Sequence, residues 1–208
     1  MDGESRVPGC PGPNLGVTMT RFLLAAALAA GLTAPATALA GTCAGVTHAD
    51  SITNAEGKTL VLNGMGQRVA YGMFKVYVGG LYVTSKSSSG STIINAEAPK
   101  RIVMQFVRDV PKDKMQETFA ENFAKNPASA NLKQEIGWLY SVLADVKTGD
   151  KVSLDYRPGV GTTVAMNGKD KTTIPGSDFM KAVFAIYLGS NPAYTPLRDG
   201  MLGNASCD

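Results

Sequence analysis

The chain has 208 residues, a formal net charge of +3 and 44% hydrophobic residues, enough for one ordinary domain with a real core. Its 20 basic and 17 acidic residues are interspersed, with no basic stripe carrying interleaved aromatics, so the footprint of a nucleic-acid binder is absent. The single histidine, His48, excludes histidine-based triads and multi-histidine metal sites and reads as a surface residue; no motif implies a metal or cofactor.

Residues 1–18 ("MDGESRVPGCPGPNLGVT") are read as an upstream extension, with Met19 the expected start. Residues 19–40 have the three zones of a secretory signal peptide: Arg21, an apolar run over 22–30, and Ala38, Leu39 and Ala40 before Gly41. Pro35 and an Ala/Thr/Gly-rich end stop the run short of the roughly 20 strongly apolar residues a spanning helix needs. Cleavage and a periplasmic or secreted location are therefore expected, with no stable membrane span afterwards. Loss of 1–40 removes Arg6, Arg21, Asp2 and Glu4, keeps the net charge at +3, and leaves residues 41–208 as a single domain. Cys43 and Cys207 stand near the two ends of that domain, and an even pair in an oxidising compartment suggests a disulfide. Two free thiols are the alternative. A lipidated Cys43 is disfavoured because Thr42 and Ala40 hold the places where a small residue and a leucine would be wanted.

Next, "KTLVLNG" reads as a strand, Gly64-Met65-Gly66 as a turn, and "MFKVYVGGLYVTS" as a longer strand whose Gly79-Gly80 pair suggests a bulge or the close approach of another backbone. "SKSSSGS" is a polar loop, and "RIVMQFVRDV" a mostly apolar central strand. "PKDKMQETFAENFAKN" begins with Pro111 and carries Met115, Phe119 and Phe123 at i, i+4 and i+8, the buried stripe of a helix. A second helix follows a Ser129 cap, with Leu132, Ile136, Leu139 and Leu143 on one side. Asp109, Asp113, Asp145 and Asp150 fall at turns and helix starts, where capping is their expected work. Two or three short strands come next, with turns at Arg157-Pro158-Gly159 and Asn167-Gly168, then a helix ending at Gly189 and a short tail helix. Strands, helices, strands and helices in that order predict an α+β domain with helices on one face of an antiparallel sheet.

"NGMGQR", "FKVYVGGLYV", "KRIVMQFVRDV", "GDKVSLDYRPGVGTTVAMNGK", "TIPGSDFMKAVFAIYLG" and "NPAYTPLRDGMLG" occur in order over residues 45–203. Together they resemble the chalcone isomerase family, in particular its bacterial chalcone isomerase-like branch. The resemblance implies an open-faced β-sandwich: a large antiparallel sheet, a layer of helices packed on one face, and a ligand cleft between them. It also implies two possible activities. One is isomerisation of a chalcone-like or other enone substrate, in which the arginine of the glycine-rich stretch binds a phenolate and nearby hydroxyls position the substrate. The other is non-catalytic binding of a fatty acid, in which that arginine and a tyrosine grip the carboxylate. Arg68 falls at the arginine position, and Tyr77 stands where the enzymes have a threonine. Met115 and Ile186 fall where they have a tyrosine and a polar residue, and Asn122 matches the helix asparagine. The shift from hydroxyl toward apolar favours binding. The expected ligand is a fatty acid or similar apolar carboxylate.

Physical chemistry points the same way. A guanidinium is always charged and costs a great deal to bury without an anion or several acceptors. A carboxylate can take two hydrogen bonds from Arg68 and a third from Tyr77. The competing role for Arg68 is an internal ion pair, for instance with Asp109.

Overall fold

The computed structural model describes residues 40–207; the expected upstream segment 1–18 and, apart from Ala40, the expected signal peptide 19–40 lie outside them. The strands among the described residues are β1 (Ala40–Cys43), β2 (Val46–Ala49), β3 (Ser51–Thr53), β4 (Thr59–Ala70), β5 (Phe74–Val83), β6 (Lys100–Phe106), β7 (Lys151–Arg157), β8 (Gly161–Met166) and β9 (Lys169–Ile174). The α-helices are α1 (Gly90–Asn95), α2 (Lys112–Ala124), α3 (Lys133–Val142), α4 (Ser177–Leu188) and α5 (Thr195–Met201). Strands β3 to β9 pair in sequence order as one curled antiparallel sheet with helices packed on it, the α+β open-faced architecture. β1 and β2 form a separate hairpin.

Period-two alternation gives the sheet two different faces. In β6, Ile102, Met104 and Phe106 are buried against the helices, while Arg101, Val103 and Gln105 turn to the other side and are half-buried. The helix face meets α4, which buries Phe179, Met180, Val183, Phe184, Ile186, Tyr187 and Leu188, and α2, which buries the expected Met115, Phe119 and Phe123. α2 is capped from outside its own segment. Pro111 has no side-chain donor or acceptor to offer, and the Asp145 carboxylate accepts the Lys112 amide at 2.8 Å. Asp109 and Asp150 accept the amides of Thr148 and Lys147 in the turn before β7. These aspartates do the capping work expected of them.

A smaller cluster of Cys43, Val46, Leu60, Leu62, Met65, Val78 and Tyr82 lies on the opposite face, where the β1–β2 hairpin covers part of the sheet. A disulfide joins Cys43 to Cys207, with the Cα atoms 5.5 Å apart, and so ties this hairpin to the end of the described chain.

Several local expectations are corrected. Gly64, Met65 and Gly66 are not a turn; β4 runs through them to Ala70, because α5 lies directly on this part of the strand. A Cβ on Gly66 would stand 2.3 Å from the Leu197 carbonyl oxygen, and one on Gly64 would meet the Gly200 oxygen as closely. Gly79 and Gly80 carry no bulge; the extra residues fall at Asn63 in β4, between Leu62 and Gly64, and at Val76 in β5, opposite the step from Arg68 to Val69. What approaches Gly79 and Gly80 is side chain, Met201 on one face and the His48 ring on the other. His48 is therefore buried, 5% exposed, and burial lowers its pKa. Ser129 does not cap a helix. It closes a 3-10 turn over Pro127–Ser129, its hydroxyl donating to Asn126 O, and α3 begins only at Lys133. Within the expected polar loop, Ser89 caps the short α1, its Oγ accepting from the Thr92 amide.

Candidate functional site

Gly64, Gly66 and Arg68 alternate onto the helix face of β4, and Tyr77, Gly79 and Leu81 do the same on β5. Register sets Gly66 opposite Gly79 and Arg68 opposite Tyr77. The glycine pair makes a floor without side chains, on which Leu197 and Met201 of α5 rest, both fully buried. One pair further along the strands, where α5 has just begun, side chains return as a cation and a phenol. The loop leading into α5 carries Tyr194, and the Arg68 guanidinium lies 5.0 Å from the centre of its ring.

Arg68 is half-buried and donates through Nη1 to the Val69 carbonyl. Among the described residues no carboxylate lies within 4.0 Å of it. Asp109, the candidate ion-pair partner, instead holds Lys147 at 3.1 Å. Tyr77 packs against Phe106 of β6 with ring centres 5.4 Å apart. Burial pushes its phenol well above the ordinary tyrosine range, and the Arg68 charge opposes this only in part. The phenol is protonated at neutral pH and is a hydrogen-bond donor.

The structure thus brings Arg68 and Tyr77 face to face. Met115 and Ile186, 8% and 5% exposed, sit in the same sheet–helix core as Phe106, so the positions expected to be apolar are packed inside. Asn122 is not turned toward that core. It is half-buried, and its amide donates to Thr118 O on its own helix at 2.7 Å.

Two tyrosines that the sequence reading passed over complete the constellation. Tyr187, the residue after Ile186, is buried, and its hydroxyl donates to the Met104 sulfur at 3.3 Å. Burial raises its pKa well above the ordinary value, and Tyr77 is close enough to add to the shift. The hydroxyl read as lost at Ile186 is therefore restored one residue later on α4. Tyr194 was visible as an aromatic between two prolines, but its place over Arg68 depends on how α5 lies across β4, which no local pattern states.

The interior between sheet and helices is filled by side chains, among them Met104, Phe106, Met115, Phe119 and Tyr187. A pocket of about 300 Å³ lies elsewhere, beside α1 and Lys100, and another of about 400 Å³ lies beside Asp145 and Lys169. Neither includes Arg68 or Tyr77. Among the described residues there is no group of three or more His, Cys, Asp or Glu side chains placed to hold a metal ion.

An antiparallel sheet with helices on one face, and an arginine emerging from a glycine-lined strand beneath them, defines an open-faced β-sandwich of the chalcone isomerase type. The family described as chalcone isomerase-like matches residues 40–203, and the chain belongs to it. A fatty-acid binding protein of Arabidopsis thaliana has the same fold: its crystal structure superposes with a TM-score of 0.53 at 18% sequence identity, covering 74% of this chain and 96% of the plant one. No curated protein matches the sequence.

Proposed function

We propose that this protein binds a fatty acid or similar apolar carboxylate, with Arg68 and Tyr77 as the head-group site and the tail between the sheet and the helices. The observation that carries the reading is a half-buried guanidinium that faces a half-buried, protonated phenol and has no described carboxylate within 4.0 Å. Such a group is poised for an external anion, since a carboxylate would accept from both side chains. Family membership and the likeness to a plant fatty-acid binding protein support the same reading. So does Met115, which puts apolar surface where an isomerase would need a positioning hydroxyl. The Cys43–Cys207 disulfide supports an oxidising compartment and, with the leader-like residues 19–40, an exported protein that works in the periplasm or outside the cell.

Native mass spectrometry of gently purified protein should show a co-purified acid, and calorimetry after its removal should show binding of long-chain acids above the matching alcohols. Absence of any acid preference would refute the head-group assignment. An isomerase should instead turn over chalcone, read by the loss of its absorbance. The expected result is a rate no greater than the spontaneous one, because positioning and acid–base groups contribute about 10² to 10⁴ each. A saturable, stereoselective rate would overturn the binding reading.

A further inference from the structure

Of the four large apolar side chains exposed among the described residues, three are gathered at one place and only Val160 stands apart. Tyr71 is 91% exposed, Met73 73% and Phe74 44%, all at the tip of the β4–β5 hairpin. The tip is a three-residue connection, since register pairs Ala70 with Phe74, and within it Tyr71 and Gly72 both have positive φ, 51° and 71°, with the Met73 amide donating to Ala70 O. Two successive residues at positive φ favour Asn-Gly, and the chain uses that pair in the two-residue turn at Asn167-Gly168, with φ of 51° and 74°. A tyrosine at position 71 is disfavoured by the backbone and packed against little. Neither local conformation nor core packing accounts for it.

The surroundings are basic. Lys75 is exposed and makes no described ion pair, and the Arg108 guanidinium lies over the Phe74 ring at 4.9 Å. The first turn of α2 adds Lys112 and Lys114, the latter close enough to Tyr71 for the two to act on each other. The acids nearby are Asp109, Asp113 and Glu117; Asp109 is held by Lys147 and Glu117 by Lys114. An apolar tip with an aromatic phenol, collared by cations on long stems, is the arrangement that enters the boundary of an anionic bilayer, with rings at headgroup level and Lys and Arg reaching the phosphates. Three side chains on a narrow turn offer far less than the roughly 800 Å² per partner of a standard protein interface. Insertion into lipid needs no such matching surface.

We propose that the Tyr71-Gly72-Met73-Phe74 tip docks this protein on an anionic membrane surface. Register places Phe74 opposite Ala70 and Lys75 opposite Val69, with Arg68 and Tyr77 the next pair. At about 3.3 Å per residue, the docked tip holds the Arg68–Tyr77 pair within roughly 10 Å of the headgroups. The inference goes beyond fatty-acid binding and does not require it, because docking is measured on protein stripped of ligand.

The test puts the only tryptophan of the chain at the tip, as Tyr71→Trp in a Trp138→Phe background, and compares it with Lys171→Trp in the same background, on exposed β9. Vesicles are equal parts phosphatidylglycerol and phosphatidylethanolamine, with bromine on the acyl chains as the quencher. Quenching at position 71 and not at 171 is the expected result; it reports the tip itself, whatever any other segment does. Sedimentation of the otherwise unaltered chain gives a second reading. Tyr71→Ser with Met73→Ser should weaken vesicle binding at least tenfold, and Lys75→Gln or Arg108→Gln about fivefold each. Phosphatidylcholine vesicles remove both cationic contributions at once, so binding to them should be weaker by about 25-fold or more. No quenching at 71, or equal quenching at both sites, overturns the proposal. So does tip-dependent dimerisation without lipid binding, which would make the tip a contact between copies of the chain.

Discussion

Replacing Arg68 by alanine separates a head-group role from a structural one, because the structure sets a different magnitude for each. Within the protein Arg68 has one hydrogen bond, to its neighbour's carbonyl, and the face of Tyr194. Losing these costs about 1 to 2 kcal/mol, against about 3 to 5 kcal/mol for removing one partner of a buried ion pair. Each charge-assisted hydrogen bond to a bound carboxylate adds about 1.5 to 3 kcal/mol, a factor of roughly 10 to 150 in affinity. Arg68→Ala should therefore melt within a few degrees of wild type, lose one to two orders of magnitude in affinity for a long-chain acid, and bind the matching alcohol as before. Arg68→Lys should recover part of the loss, since a point charge replaces a planar fork. Tyr77→Phe should show a smaller loss of the same sign. Calorimetric titration of acid and alcohol against the wild type and the three variants is the assay. Equal loss for both ligands would mean that Arg68 shapes the cleft without reading the head group.

Gly66→Ala should destabilise by about 3 kcal/mol or more, because its Cβ meets the backbone of α5, whereas Gly137→Ala in α3, with open space around it, should stabilise by up to about 1 kcal/mol. Denaturant midpoints decide both signs. Removing the Cys43–Cys207 bridge, which closes a sequence separation of 164, should cost roughly 4 to 5 kcal/mol in the chain-entropy picture, seen as a fall in melting temperature of about 2–4 °C per kcal/mol. Freely alkylatable thiols in the native protein would contradict it. Tyr82 and Tyr156 are pushed up to about 12, each by burial first, and burial raises Tyr77 and Tyr187 as well. The folded state keeps these protons where the unfolded chain releases them near 10. The stability they contribute is whole below about pH 10 and is lost as pH rises toward 12, which denaturation midpoints should follow. Phenolate absorbance of every tyrosine appearing near pH 10 while the fold persists would refute the assignment.

Much of this molecule was legible because its signals are local. Met115, Phe119 and Phe123 announce the buried stripe of α2 by spacing alone, and Asn167-Gly168 announces its turn by chemistry. The Arg68–Tyr77 pair was visible from the motif, and antiparallel register sets the two residues opposite each other. The failures share one cause. Gly64 and Gly66 look like a turn because glycine breaks strands, yet here it admits α5, more than a hundred residues later in the chain. His48 looks exposed because it is polar and near a terminus, yet Gly80 leaves room for its ring under the hairpin. Glycine marks either a bend in its own backbone or an approach by another segment. Only the tertiary structure says which.

The filled interior bears on how a tail could be accommodated. Protein cores are packed like organic crystals, so about ten methylenes cannot enter beside Tyr77 unless side chains leave. Burying them gains roughly 8 kcal/mol gross, at about 0.8 kcal/mol each. Lifting α2 away would expose Met115, Phe119 and Phe123 at about 1.5 to 3 kcal/mol apiece, which cancels most or all of that gain. Displacing α4 is worse, since it buries more than twice as many side chains. Re-routing unbranched side chains costs least, and the core supplies them: Met104, Met115, Met180 and Met201 lie among its phenylalanines. On these magnitudes a bound tail would leave the helices on the sheet and swing methionines aside, and the length of tail accepted would be set by how many of them can move.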